Sequence, residues 1–138
     1  MVDLLELQKT FILQHLKEGD IAADFTMGNG YDTEFLSNTV GENGKVYAFD
    51  IQAAAVESTR ARLDKVCKYQ NYTLIHDSHH NVKNYVKEPI KAGMFNLGYL
   101  PGSDKSVTTM RVTTMPAIEA AIDLLDHGGV LLVAVYPG

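Results

Sequence analysis

Carboxylates, glycines and one side-chain amide gather in this chain where apolar runs stop. Asp24 lies near the end of IAADF, and Gly28, Asn29, Gly30 and Asp32 follow it in TMGNGYD. Asp50 closes GKVYAFD, 20 positions beyond Gly30, Asp77 and Ser78 follow YTLIH, and Asn96 stands near the end of AGMFNL. Glycines after a strand let backbone come within contact distance of a ligand, and the amides of the helix that follows favour a polar group. An acidic residue at the end of a second strand can accept hydrogen bonds from ribose hydroxyls, so the spacing suggests an adenosine site. Alone, GNG is also what a tight strand-to-helix turn needs.

The rest of the loop narrows the ligand. A dinucleotide fingerprint wants a small residue where this chain has Thr33, and Asp32 beside it would repel a pyrophosphate. Carboxylates on the loop suit a ligand with positive charge, and S-adenosylmethionine carries a sulfonium and an ammonium. Asp77 is then placed to accept from the adenine amino group. His76, His79 and His80 invite a metal reading, but no carboxylate triad joins them, and no metal is expected.

These residues must be held by strands and helices, and the pattern supplies them in alternation. Leu4, Leu7 and Phe11, widened by Leu5, Ile12 and Leu16, form the apolar stripe of a helix that Asp3 caps and that ends near Gly19. IAADF, GKVYAFD, YTLIHD, AGMFNL and GGVLLVAVY read as five strands. Between them fall a short helix marked by Phe35, Leu36 and Val40, a long helix over 52–68, a short one over 80–88, and a helix begun by Thr114 and Pro116 with Ile118, Ala121, Ile122 and Leu125 on its apolar face. Strands that are continuous apolar runs separated by helices imply a doubly wound α/β fold, a mostly parallel sheet covered on both sides. Such sheets bind ligands outside the carboxyl ends of their strands, where strand order reverses. The polar stretches lie at those ends.

At 138 residues the chain is expected to be a single domain over 1–138 with a core that needs no staple. Cys67 is the sole cysteine, which excludes an internal disulfide and fits a reducing cytoplasm. No stretch has the roughly 20 apolar residues of a membrane span, so a cytoplasmic protein is expected. The formal charge of −5 conceals a regional pattern: residues 1–50 are acidic, whereas 51–111 carry 9 basic and 5 acidic groups. That middle region could meet phosphates, or its charges could be solvated helix faces, as the spacing of Arg60, Asp64 and Lys68 allows.

The strings DFTMGNGYDT, VYAFDIQ, HDSHH and FNLGYLPGSDKSVTT resemble the class I S-adenosylmethionine-dependent methyltransferases, and within them the rRNA methylase family. The resemblance runs over essentially the whole chain. It implies a Rossmann-like fold and an enzyme that methylates RNA, in the bacterial members the aminomethyl group of wobble 5-aminomethyl-2-thiouridine in tRNA. It implies that Asp24, Thr26, Met27, Gly28, Asn29, Gly30 and Asp32 line the methionine moiety of S-adenosylmethionine, that Asp50, Ile51 and Gln52 meet the ribose and adenine edge, and that Asp77 and Ser78 meet the adenine. Asn96, Gly98 and Tyr99 would stand where amino-methyltransferases carry Asn-Pro-Pro-Tyr, with Leu97 and Gly98 in place of the prolines. Family members continue past the fifth strand, so the domain is expected to lack C-terminal strands, and a second copy could cover the edge of strand five.

Methyl transfer to an amine requires a neutral nitrogen whose lone pair faces the sulfonium methyl. The Asn96 carbonyl, with a backbone carbonyl freed by Gly98, could accept the amine N–H bonds, and Asn96 would thereby also border the cofactor. Tyr99 could wall or stack on the uracil, Asp104 could help remove the amine proton, and Lys105 could meet a tRNA phosphate. Other readings are a methyltransferase for another RNA or a small amine, a non-catalytic cofactor-binding or dimerising module, and a nicotinamide-binding domain.

Overall fold

The computed structural model describes residues 3–99 and 113–136, in chain order α1 (Leu4–Leu13), β1 (Ile21–Asp24), α2 (Tyr31–Val40), β2 (Lys45–Asp50), α3 (Ala53–Val66), β3 (Tyr72–His76), a 3-10 turn (His79–Asn84), β4 (Ile90–Tyr99), α4 (Met115–Leu124) and β5 (Leu125–Tyr136). All four strand pairings are parallel, in the order β3-β2-β1-β4-β5. The chain builds outward from β1 to β3, then returns to lay β4 against the other side of β1. The carboxyl ends of β1 and β4 therefore flank the point of reversal, where an open parallel sheet leaves a crevice.

Alternation along the strands divides the core. Ala22, Val46, Ala92 and Met94 face one side and pack with Ile12, Leu16, Leu36 and Val40 from α1 and α2. Ala23, Phe25, Tyr47, Phe49 and Phe95 face the other and pack with Val82, Val86, Ala117 and Ala121. Successive residues of a strand point to opposite faces, so each of β1, β2 and β4 must be apolar at nearly every position. The rings of Phe25 and Phe95 stack at 4.3 Å and 4°, and Phe49 lies 6.0 Å from Phe25 on its other side. Full burial of such a ring contributes about 1.5–3 kcal/mol. This stack lies beneath the strand ends and locks β1 and β4 in register one residue before Thr26 and Asn96.

Several element boundaries differ from the sequence expectation, each for a local reason. Asp3 does cap α1, its Oδ1 accepting from Leu5 N–H at 3.0 Å and Glu6 N–H at 3.4 Å, but the helix stops at Leu13. Beyond it the Asp20 carboxylate accepts from Lys17 N–H at 2.8 Å, and such a side-chain bond favours a turn over further helix. The expected helix over 80–88 is a 3-10 turn over His79–Asn84, because Asn81 and Tyr85 both reach back to Asp77 and tighten it. Thr114 occupies the N-cap position of α4 with helical backbone angles and without a side-chain cap bond. β5 starts at Leu125 rather than Gly128, since the pairing jumps from Ile90↔Leu125 to Ala92↔Val130 and Gly128, at φ 76°, absorbs the extra residues.

Candidate active site

The loop after β1 is shaped by two glycines in left-handed conformations, Gly28 at φ 52° and Gly30 at φ 91°. They need glycine for different reasons. A Cβ on Gly30 would lie 3.0 Å from Thr59 Cγ2 and 3.2 Å from Thr59 Cα, so α3 packs on bare backbone there. A Cβ on Gly28 would meet nothing nearer than 4.0 Å. Thr59 Oγ1 donates to Gly28 O at 2.9 Å, and Gly28 N–H donates to Asp50 Oδ2 at 3.2 Å, which ties the loop to β2 and α3. Gly30→Ala should therefore cost about 1–3 kcal/mol of stability, through backbone strain and displacement of α3. Urea unfolding will read this, and an unchanged midpoint would mean that the Thr59 contact is not tight.

Asp24 is wholly buried. Thr26 N–H donates to its Oδ1 at 3.1 Å and Thr33 Oγ1 donates to its Oδ2 at 2.6 Å. Burial drives its pKa upward, Asp32 and Asp50 add repulsion, and the two hydrogen bonds offset part of this, leaving it at about 7. Thr33, where a dinucleotide-binding loop would be small, is thus committed to Asp24.

Across the point of reversal, Asn96 N–H donates to Thr26 Oγ1 at 2.7 Å, and Asn96 Nδ2 donates to Asp32 Oδ2 at 3.3 Å. With its nitrogen held by a carboxylate, the amide presents Oδ1 as a bare acceptor among the described residues. Asp24, Asp32 and Asp50 have no lysine or arginine paired with them among the described residues. Among the described residues these carboxylates make the crevice acidic, without a paired cation.

A cavity of about 430 Å³ opens here, lined by Thr26, Asp50, Ile51, Ser78, His79 and Asn96, with Phe25 and Leu97 beneath and Thr113 and Thr114 at the side. Of the residues expected from sequence, Thr26, Asp50, Ile51, Ser78 and Asn96 meet in it. Asp32 joins through Asn96. Asp24 and Met27 are buried outside it, and Gln52 caps α3, its N–H bound to Asp50 Oδ1 at 3.0 Å. Asn29 turns to Ser58 on α3. The Asp77 carboxylate accepts from Ser78 N–H, Asn81 Nδ2 and Tyr85 O–H, which hold its pKa below the usual carboxylate value, and it does not line the cavity. Gly98 and Tyr99 end β4, the Tyr99 side chain lies outside the described residues, and so do Asp104 and Lys105 altogether. His79 and His80, weighed in the sequence only as metal ligands, line the cavity; among the described residues no group of three or more His, Cys, Asp or Glu is set to hold a metal. The HDSHH string after β3 was the available signal.

A family model described as "Putative rRNA methylase" matches residues 46–138. The chain belongs to that family. The chloroplastic tRNA (mnm(5)s(2)U34)-methyltransferase of Arabidopsis thaliana is 38% identical over 135 residues, covering 91% of this chain and 49% of the relative. The chain thus spans about half the length of that relative. An rRNA methylase from Streptococcus thermophilus superposes with a TM-score of 0.84 at 41% identity, covering 100% of this chain and 73% of the other. A Streptococcus mutans protein crystallised in complex with SAH gives 0.84 at 43% identity, over 99% of this chain and 74% of the other. The doubly wound parallel fold of the rRNA methylase family is therefore the fold of this chain. No helix among its described residues is long and apolar enough to cross a membrane.

Proposed function

We propose that this chain is the donor-binding and catalytic part of an S-adenosylmethionine-dependent N-methyltransferase acting on RNA, its acceptor the aminomethyl group of a wobble 5-aminomethyl-2-thiouridine in tRNA. The observation that carries the reading is the Asn96 amide at the point of strand reversal, its nitrogen bound by Asp32 and its carbonyl oxygen left as an acceptor. The residues present suit the donor. Carboxylates with no lysine or arginine paired to them among the described residues favour a cation, the loop at Gly28 is open to close approach, and Asp50, Ile51 and Ser78 border a cavity at the strand ends. S-adenosylmethionine, when bound, supplies an electrophilic methyl group.

The chain's own residues do the rest. Asn96 Oδ1 accepts an N–H of the substrate amine and orients its lone pair, and the amide dipole favours the positive charge that grows on nitrogen. Asp32 holds the amide in the required sense. Thr26 fixes the Asn96 backbone, and the phenylalanine stack below leaves it little freedom. The name of the Arabidopsis relative supports the tRNA substrate, and among the described residues of the middle region one arginine and one lysine pair with acids, Arg62 with Glu34 and Lys83 with Asp123, which leaves other basic residues there for phosphates. A second copy on the outer edge of β5 is part of the proposal, and sedimentation equilibrium will read it; a monomer at all concentrations would remove it.

Calorimetry separates the cofactor readings: S-adenosylmethionine and its demethylated product should bind and NAD should not. Mass spectrometry of nucleosides from tRNA incubated with protein and donor then reads the product. Absence of a methylated aminomethyl nucleoside, with donor binding intact, would redirect the assignment to another acceptor. Gly28→Ala gives a sharper check on the loop. Its Cβ enters open space, so stability should change by only about 1 kcal/mol, whereas donor affinity should fall at least tenfold. Equal donor affinity in that variant would show that the ligand does not approach the loop.

A further inference from the structure

An alkyl amine reaches the site mostly as an ammonium ion, which has no lone pair to offer. Something must accept its proton. Asp24 is sealed away from the cavity, Asp32 accepts from Asn96 Nδ2 and Asp50 from the N–H groups of Gly28 and Gln52, and Asp77 is fully committed to Ser78, Asn81 and Tyr85. His80 also lines the cavity, but it is exposed and its Nδ1 meets Ser78 Oγ at 2.5 Å, so the remaining candidate among the described residues is His79.

Its ring is held on two sides. It packs against Phe95 at 5.4 Å between centroids, tilted by 57°, and its Nδ1 lies 3.0 Å from the backbone oxygen of Phe25. A carbonyl oxygen can only accept, so Nδ1 carries the hydrogen. In the neutral imidazole Nε2 is then a bare lone pair. Nε2 has no hydrogen-bond partner among the described residues, and none of their buried side-chain nitrogens or oxygens lacks one, so Nε2 sits at the surface. The surface that His79 contributes to is the cavity it shares with Asn96 and Thr26. The Phe25 carbonyl and the Phe95 ring belong to the same stack that places Asn96, so imidazole and amide are positioned by one rigid floor.

We infer that His79 is the proton acceptor for the substrate: Nε2 takes a proton from the ammonium, the N–H electron pair stays on the substrate nitrogen, and Asn96 Oδ1 holds the neutral amine that results. The imidazolium returns its proton to solvent after transfer. This rests on the methyl-transfer reading proposed above.

The surroundings are consistent with the role. Burial lowers the His79 pKa below its ordinary value, the Phe25 hydrogen bond opposes this, His80 beside it lowers it further, and Asp50 from the end of β2 raises it. Thr26, Leu97, Thr113 and Thr114, which line the same cavity from after β1, from β4 and from before α4, are uncharged. The ring is therefore neutral and able to accept at pH 7.

Two measurements test the assignment. Nitrogen-detected NMR of the donor-free protein should show His79 as the neutral tautomer with hydrogen on Nδ1 at pH 7; hydrogen on Nε2 would overturn the proposal without reference to activity. In single-turnover methylation of the tRNA acceptor, His79→Asn retains an amide N–H for the Phe25 carbonyl but removes the basic nitrogen lone pair. Its rate should fall roughly a hundredfold at pH 7 and recover about tenfold per pH unit as solution supplies the free amine, so that wild type and variant converge toward the amine's own pKa. Added imidazole should rescue part of the loss. A deficit that is the same at every pH and is not rescued would mean a structural role, and no deficit would mean that solvent takes the proton. If wild-type protein binds no S-adenosylmethionine in calorimetry, it is the underlying methyltransferase reading that fails, which the tautomer measurement keeps distinct.

Discussion

Asn96→Ala should reduce turnover roughly a hundred- to thousandfold while leaving S-adenosylmethionine affinity nearly unchanged, on the scale found when one preorganised polar group at a reacting centre is removed. The variant should also fold. The bond from residue 96 to Thr26 Oγ1 uses the backbone N–H, which alanine keeps, and the neighbouring Phe95 still anchors the strand in the ring stack. What disappears is the amide and its bond to Asp32. The Asp32 contact makes a second, more specific expectation. Asn96→Asp sets two carboxylates against each other and should be as impaired as the alanine variant, but the exchange Asp32→Asn with Asn96→Asp restores a donor on residue 32 facing an acceptor on residue 96. If Asp32 acts by orienting residue 96, the double variant should recover at least tenfold over Asn96→Asp. Single-turnover rates with calorimetric donor affinities read both. Normal turnover in Asn96→Ala would remove Asn96 from the mechanism; a double variant no better than the single one would limit Asp32 to another role.

The alternation of apolar runs with helical stripes was enough to foresee a doubly wound parallel sheet, because burial on both faces leaves a signature at every strand position. Thr26, Asp50, Ile51, Ser78 and Asn96 line one cavity, since the first four lie within two residues of a strand end and Asn96 lies within β4, so their direction comes from the sheet. Loop residues further from a strand were harder to place, since their direction depends on what they meet. Asp32 finds Asn96 at a separation of 64 residues, and Asp77 is drawn to Asn81 and Tyr85 by a turn that tightened where a helix was expected. Met27 looks like its loop neighbours in sequence, yet its N–H bonds Phe49 O at 3.0 Å and its side chain is buried. His79 is recognisable only once the Phe25 carbonyl defines its tautomer. A string of histidines suggests metal; a ring with one nitrogen already bound to a carbonyl suggests a base.

Asp24 leads to the other large effect, on stability against pH. Its carboxyl has an ordinary value of 3.8 and is raised to about 7 in the fold, chiefly by burial. Between those values the unfolded chain has lost the proton and the folded chain keeps it. The folded state therefore binds more protons, and stability must fall as pH rises from about 4 to 7, reaching its full loss above pH 7. At about 1.4 kcal/mol for each unit, the change amounts to about 4 kcal/mol. Asp24→Asn should abolish this slope, since an amide can still accept from Thr26 N–H and place its nitrogen against the Thr33 hydroxyl, whose oxygen accepts when it rotates. The variant should then equal or exceed the wild type in urea unfolding at pH 8 and lose that advantage at pH 5. Under the proposed function, the donor adds a further sign: a cation beside Asp24, Asp32 and Asp50 lowers the Asp24 pKa, so S-adenosylmethionine should bind more tightly as pH rises through 7 and expel a fraction of a proton. Calorimetry in buffers of different ionisation enthalpy measures that proton directly. A wild-type stability that is flat between pH 4 and 7 would mean that Asp24 is already ionised in the fold, held so by Thr26 and Thr33. Proton release on donor binding would then have to come from elsewhere in the crevice.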